Sequence, residues 1–201
     1  MDKSYSENTK YRVNEIFYSL QGEGRNTGRA AMFVRFSGCN LKCSFCDTDF
    51  TSHVDMTATE IINRMESLMP MTDARPIVVL TGGEPTLQVD SALIDTIHKA
   101  GFTTVAMESN GTKEPPSNLD WLTVSPKQNV KVTHCDELKV VYDGKTEPST
   151  HGVKANYYFI QPLDSGDDKD NARIIKACVD YIKKHPQWQL SLQTHKLIDI
   201  K

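Results

Sequence analysis

Three cysteines fall within eight residues, Cys39-Asn-Leu-Lys-Cys43-Ser-Phe-Cys46, directly after the apolar run AAMFVRF. So dense a set of thiols reads as a loop wrapped around a metal group, and three such groups compete. A structural zinc site normally takes four Cys or His ligands, and His53, the nearest fourth candidate, lies outside the usual pair spacing. An electron-transfer cluster would also want four cysteines. Cys135 and Cys178 are far along the chain, the first reading as a loop thiol in VTHCDELK and the second as a core residue on an apolar helical face. Three thiolates on a four-iron cluster would leave one iron open, and an open metal position is what separates catalytic sites from structural ones.

Five cysteines is an odd number, and in a reducing compartment thiols serve metals or catalysis more often than disulfides. The leader MDKSYSENTK is polar, and no later run approaches a membrane span, so residues 1–10 read as a flexible leader and the cytoplasm as the compartment. At 201 residues the chain fits one domain, 1–201, able to bury a continuous core. A 38% hydrophobic and 24% charged composition with net charge −3 argues against a disordered, membrane or nucleic-acid-coating protein.

Elsewhere, short apolar strands alternate with amphipathic helices. YRVNEIFYS and AAMFVRF read as strands flanking the glycine-rich QGEGRNTGR. Thr57 and Glu60 form a capping box for a helix carrying Ile61, Ile62, Met65, Leu68 and Met69, which ends before Pro70. PIVVLT is a strand stopped by Gly82 and Gly83, and a helix with Leu87, Leu93, Ile94 and Ile97 runs to Gly101. Thr103 to Met107, WLTVS, ELKVVY, YYFI and WQLSL complete the strands, and one further helix places Ile174, Ile175, Cys178, Tyr181 and Ile182 on one side. The alternation predicts an α/β fold with a parallel sheet and outer helices, doubly wound or a partial TIM-type barrel. Ligands in such folds sit at the carboxyl ends of strands. The cysteines, GGEP, ESNG, SPK and QPLD each follow a strand, so five polar segments should converge on one rim.

The C-x3-C-x2-C spacing, with Phe45 before the third cysteine, resembles the radical S-adenosylmethionine (SAM) signature, and Gly82-Gly83-Glu84-Pro85 resembles that superfamily's GGEP motif. The resemblance implies a partial barrel as the radical SAM core. It also implies a [4Fe-4S] cluster on Cys39, Cys43 and Cys46, whose open iron binds SAM and whose electron cleaves it to a 5′-deoxyadenosyl radical. Alone, GGEP could be only a strand-to-helix turn with Pro85 at the first helical position.

Leu20-Gln21-Gly22-Glu23-Gly24, Arg35 in VRFSGCN, Cys46-Asp47-Thr48, SPK, QPLD and the terminal SLQTHK together resemble the 7-carboxy-7-deazaguanine synthase family, from residue 13 to residue 196. That resemblance implies a lyase of queuosine (7-deazapurine) biosynthesis that contracts 6-carboxy-5,6,7,8-tetrahydropterin to 7-carboxy-7-deazaguanine with loss of ammonia. It implies Mg²⁺ on Thr48, a hard cation suited to oxygen ligands. Phe45, Cys46, Asp47, Gly83, Ser125, Pro126, Lys127 and Gln161, Pro162, Leu163 and Asp164 fall at SAM-binding positions. Glu108 and Ser109 are candidates for the ribose or the substrate. Leu20, Gln21, Gly22, Arg35, Thr81, Asn110 and His195 match substrate contacts, Arg35 gripping a carboxylate, with Gln193 and Thr194 beside the pocket. No protein nucleophile is implied. An electron donor such as flavodoxin or ferredoxin and a homodimer are expected partners, with neither nucleic acid nor membrane. The alternatives are a glycyl-radical-enzyme activase, whose substrate would be a protein, and a non-catalytic zinc or iron–sulfur binding module.

Overall fold

The structure is a computed structural model that describes residues 9–43, 46 and 51–201. Its centre is a nine-stranded sheet ordered β3-β1-β2-β4-β5-β6-β7-β8-β9. The strands are β1 (Lys10–Leu20), β2 (Ala30–Phe36), β3 (Val54–Thr57), β4 (Ile77–Gly82), β5 (Val105–Ser109), β6 (Trp121–Val124), β7 (His134–Tyr142), β8 (Lys154–Pro162) and β9 (Trp188–Leu190). From β2 to β9 every pairing is parallel, as the alternation predicts. The edge differs: β1 pairs antiparallel with both β2 and β3. Segment 21–29 contains no crossover helix, and without one the chain can only return antiparallel. Lys10, placed in the leader by sequence, already pairs with Thr57 in this ladder.

Helices α1 (Ala58–Leu68), α2 (Ser91–Lys99) and α3 (Asp168–Lys184) cover one face, and the short α4 (Thr194–Leu197) follows β9. The capping box forms as expected: Thr57 Oγ1 accepts from Glu60 N at 3.3 Å, and Glu60 Oε2 accepts from Thr57 N at 2.7 Å. Ile61, Ile62 and Met65 point into the core. Helix α2 starts later than its periodicity suggests, because Pro85–Leu87 forms a separate 3-10 turn and leaves Leu87 exposed. Asp90 then caps α2 through Leu93 N at 3.0 Å. On α3, Ile174 and Cys178 are buried but Ile175 is exposed, one step off the buried stripe. Periodicity missed β3 and α4, each four residues long and too short to show a period.

Met32, Val34, Leu80, Ile94, Ile97, Met107 and Leu138 share the main core between sheet and helices. Each such side chain contributes roughly 1.5–3 kcal/mol by leaving water. A smaller apolar cluster of Ala31, Phe33, Ile77, Val79 and Ala106 lines the opposite, concave face. Among the described residues no helix is long and apolar enough to cross a membrane.

Candidate active site

Above that small cluster, the concave face opens into a cavity of about 1120 Å³. Parallel strands bring their carboxyl ends to one rim, so the segments after β2, β4, β5, β6 and β8 all reach it, as the sequence pattern anticipates. Cys39, Cys43 and Cys46 line it together with Gly83, Ser125, Lys127, Pro162, Leu163 and Asp164. Leu20, Gln21, Gly22, Arg35, Thr81, Glu108, Asn110 and His195 line it as well. Pro126 is buried and does not. Phe45, Asp47 and Thr48 lie outside the described residues.

At the cysteine end, Cys39 Sγ accepts from Leu41 N at 3.4 Å and lies 3.9 Å from Asn110 Nδ2, which also donates to Asn40 Oδ1 at 3.0 Å. Asn110 therefore stands against a thiol, at the cysteine end of the cavity. Burial holds the Cys39 thiol above its ordinary value. Glu84 of GGEP is fully buried and ties the rim together. It accepts from Ser109 Oγ at 2.9 Å, Asn110 N at 2.7 Å and Thr86 Oγ1 at 2.6 Å, while its own amide donates to Gly38 O at 2.9 Å. A side chain at Gly83 would strike the Gly38 carbonyl, so bare backbone is required where GGEP meets the cysteine loop. Cys135 and Cys178 do not line the cavity; burial pushes their thiols up to about 12 and about 11, which suits packing rather than ligation.

At the other end, β1 ends beside the start of β2, with Leu20 opposite Ala30, and segment 21–25 then crosses the concave face. Gln21 Nε2 donates to Glu108 Oε1 at 3.0 Å, Gly24 N to Ser191 Oγ at 3.0 Å and Arg25 N to Glu137 Oε2 at 3.0 Å. Arg25 also sits 5.2 Å over the Tyr157 ring. The glycine-rich segment is thus a fixed wall, not a slack connection. The segment around α4 seals it: Thr194 N and Oγ1 both donate to Gly22 O, at 3.0 and 2.7 Å, and the His195 ring packs where a Gly22 side chain would stand.

Sequence inspection missed the charged centre of this wall. Lys139 on β7 is 4% exposed and ion-paired with Glu23. It lies 4.0 Å from Glu108 Oε1. Burial opposes its charge, but Glu108 and Glu23 more than offset that and hold it above the ordinary lysine value. Burial would likewise raise Glu23, yet Lys139 and the Gln193 amide keep it below the ordinary carboxylate value. Glu23 Oε1 accepts from Gln193 Nε2 at 3.0 Å and from Gln161 Nε2 at 3.2 Å. Ser191 Oγ donates to Gln161 Oε1 at 3.2 Å, so the Gln161 side chain faces this network. Burial raises Glu137 and lowers Lys127. Period-2 alternation marks 137 and 139 as inward, but nothing in the local sequence says that a carboxylate from residue 23 waits there.

Arg35 is engaged across the β1–β2 ladder, its Nε 2.9 Å from Glu15 Oε1. Glu15 is also ion-paired with Lys201. Phe17 and Phe33 stack beside them with centroids 4.7 Å apart.

Three thiols, a glycine-lined rim and a shared cavity after parallel strands define the site of a radical SAM enzyme, and the radical SAM superfamily model matches residues 33–124. The chain is 49% identical to the 7-carboxy-7-deazaguanine synthase of Bacteroides thetaiotaomicron, covering 94% of this chain and 98% of that protein. It is 41% identical to the synthase of Burkholderia multivorans, over 94% and 99%. The chain belongs to the 7-carboxy-7-deazaguanine synthase family. Its fold is that of a crystal structure titled QueE from Escherichia coli, with TM-score 0.72, 24% identity and coverage of 94% and 99%. Membership of the radical SAM class brings a [4Fe-4S] cluster and SAM. The residues present fit both, with three thiols at one end of a cavity and bare glycine backbone beside them.

Proposed function

We propose that this chain converts 6-carboxy-5,6,7,8-tetrahydropterin to 7-carboxy-7-deazaguanine with loss of ammonia. The observation that carries the reading is a single cavity holding thiols at one end and, at the other, a wall of carboxylates and amides with Arg35 at its side. Cys39, Cys43 and Cys46 hold the cluster. When bound, the cluster and SAM supply one-electron, hydrogen-abstracting chemistry.

The protein's own part is placement and exclusion of water. Gly83, Ser125, Lys127 and the backbone of Gln161, Pro162, Leu163 and Asp164 cradle SAM, with Ser109 and Asn110 supporting the cysteine side. Pro126, buried behind this rim, shapes it. Gln21, Thr81 and Glu108 form a bonded set, Thr81 Oγ1 lying 3.4 Å from Glu108 Oε2. Glu108 and its partners present acceptors to the N–H groups of the pterin's amino-pyrimidinone edge. Arg35 takes the substrate carboxylate, which must compete with Glu15. Leu20, Gly22 and His195 close the wall. Phe17 and Phe33 keep the floor dry.

Thr48 is the proposed Mg²⁺ ligand, and Phe45 and Asp47 the proposed neighbours of the SAM adenine. The chain works as a single domain in the cytoplasm, as a homodimer, reduced by a flavodoxin or ferredoxin. An anaerobic assay with the carboxytetrahydropterin, SAM, reductant and Mg²⁺, read by product mass, tests the reaction. A mass matching the deazaguanine acid is expected; unchanged pterin in the presence of an intact cluster would overturn it.

A further inference from the structure

Lys139 belongs to no motif of the site, yet it is the cation around which the charged wall is arranged. Its ammonium sits on the inner side of β7, 4% exposed, in an ion pair with Glu23 and 4.0 Å from Glu108. Glu137, two residues earlier on the same strand, adds a third carboxylate, itself fastened to Arg25 N. A lysine taken out of water is costly to the fold unless paired, and an apolar residue of similar size is often no worse for stability. Its presence on an inward strand position therefore calls for a reason other than packing. The three carboxylates repel one another, and without a central cation Glu23 and Glu108 would turn apart or take up protons. A protonated carboxyl group donates, where the wall needs acceptors.

We propose that Lys139 is a positioning residue for substrate selection: it fixes the Glu23 and Glu108 carboxylates as a pair of acceptors facing the cavity, so that a ligand edge bearing N–H donors is taken and a carbonyl edge refused. The inference rests on the reading that a carboxypterin occupies this cavity. The Glu23 carboxylate is held from three sides, by Lys139, Gln161 and Gln193, and Glu108 by Gln21 and Thr81. Gln21 also accepts from the Glu23 backbone N at 3.2 Å, so the two sets touch through the backbone, and Lys139 is the cation that meets both carboxylates. Carboxylates in excess over the lysine leave acceptor capacity for the 2-amino and ring N–H groups of a pterin. A 2-oxo ring keeps ring N–H donors but presents a carbonyl oxygen where the pterin's amino group would donate, so an acceptor of the wall is left facing an acceptor.

The test measures binding to the cluster-reconstituted full chain of two stable probes, 6-carboxypterin and its 2-oxo analogue 6-carboxylumazine. The parent should favour the pterin by about 100-fold, the fold-change expected from one buried acceptor left unsatisfied by the wrong ligand. In Lys139→Met that preference should fall below about 5-fold, the low end for an unsatisfied acceptor, chiefly through weaker pterin binding, since Arg35 still holds the carboxylate of either probe. A purely structural lysine would weaken both probes alike and leave the ratio intact, which would overturn the inference. Should Lys139→Met not fold, Lys139→Met/Glu23→Gln, with no unpaired charge at that ion pair, carries the same measurement and the same expectation. Failure of both variants to fold would assign Lys139 to the fold and overturn it too. A parent that binds neither probe and forms no product overturns the functional reading itself, a result separable from a parent that discriminates and a variant that still does.

Discussion

Along each central strand, neighbouring residues serve opposite ends. Val34, Leu80, Met107, Leu122 and Leu138 belong to the buried apolar core on the helix side. The next residues on four of these strands, Arg35, Thr81, Glu108 and Lys139, line the cavity on the concave side. The helix face holds the fold by area removed from water, which any well-sized apolar side chain supplies. On the concave face each polar group depends on a particular partner, and losing one strands another. Stability and chemistry are thus divided by a half-turn of the strand rather than by distance along the chain.

The sharpest way to break that division is at the cysteine rim. Cys39→Ala, Cys43→Ala or Cys46→Ala should abolish both the visible absorption of the reconstituted cluster and product formation, while circular dichroism melts of the metal-free chain stay close to the parent's. A variant that keeps its product yield would refute the ligand set. On the other face, Leu80→Ala should cost about 2–5 kcal/mol in urea denaturation yet leave SAM affinity of the folded fraction unchanged. A large loss of affinity would mean the two faces are coupled.

Glu15→Gln sharpens the comparison within the concave face. Arg35 would exchange its charged 2.9 Å partner for a neutral amide, which competes less with the substrate carboxylate. Binding of 6-carboxypterin should tighten about threefold, the scale of a partly exposed ion pair, and weaker binding would show that Glu15 orients the guanidinium instead. The smallest effect concerns acid. Glu23 is held below its ordinary value of 4.5, so its ion pair contributes in full above that value and loses its contribution as pH falls through the depressed folded value. The stability gap between the parent and Glu23→Gln should therefore be widest near neutrality and close on acidification. Melts between about pH 3 and pH 7 would show it, and a gap that widens in acid would contradict the sign.

Much of this was legible locally. The capping box at Thr57, the apolar stripe of α1 and the strands ending in GGEP, SPK and QPLD follow from short-range rules that tertiary contacts did not override. Helix α2 was misjudged because Leu87 fits the period but belongs to a 3-10 turn. The antiparallel edge was missed because a strand's period carries no direction.

The sequence alone determined the class of fold, through alternating periods, and the chemistry at the rim, through thiol spacing. Both are encoded within a few residues of each other. Only tertiary structure decided that segment 21–25 crosses the concave face and that Glu23 meets Lys139, 116 residues away. It also put Asn110 beside Cys39, at the cysteine end of the cavity. Periodicity tells which way a side chain faces, but which distant charge it meets depends on strand register and strand order, and neither is written in any local window.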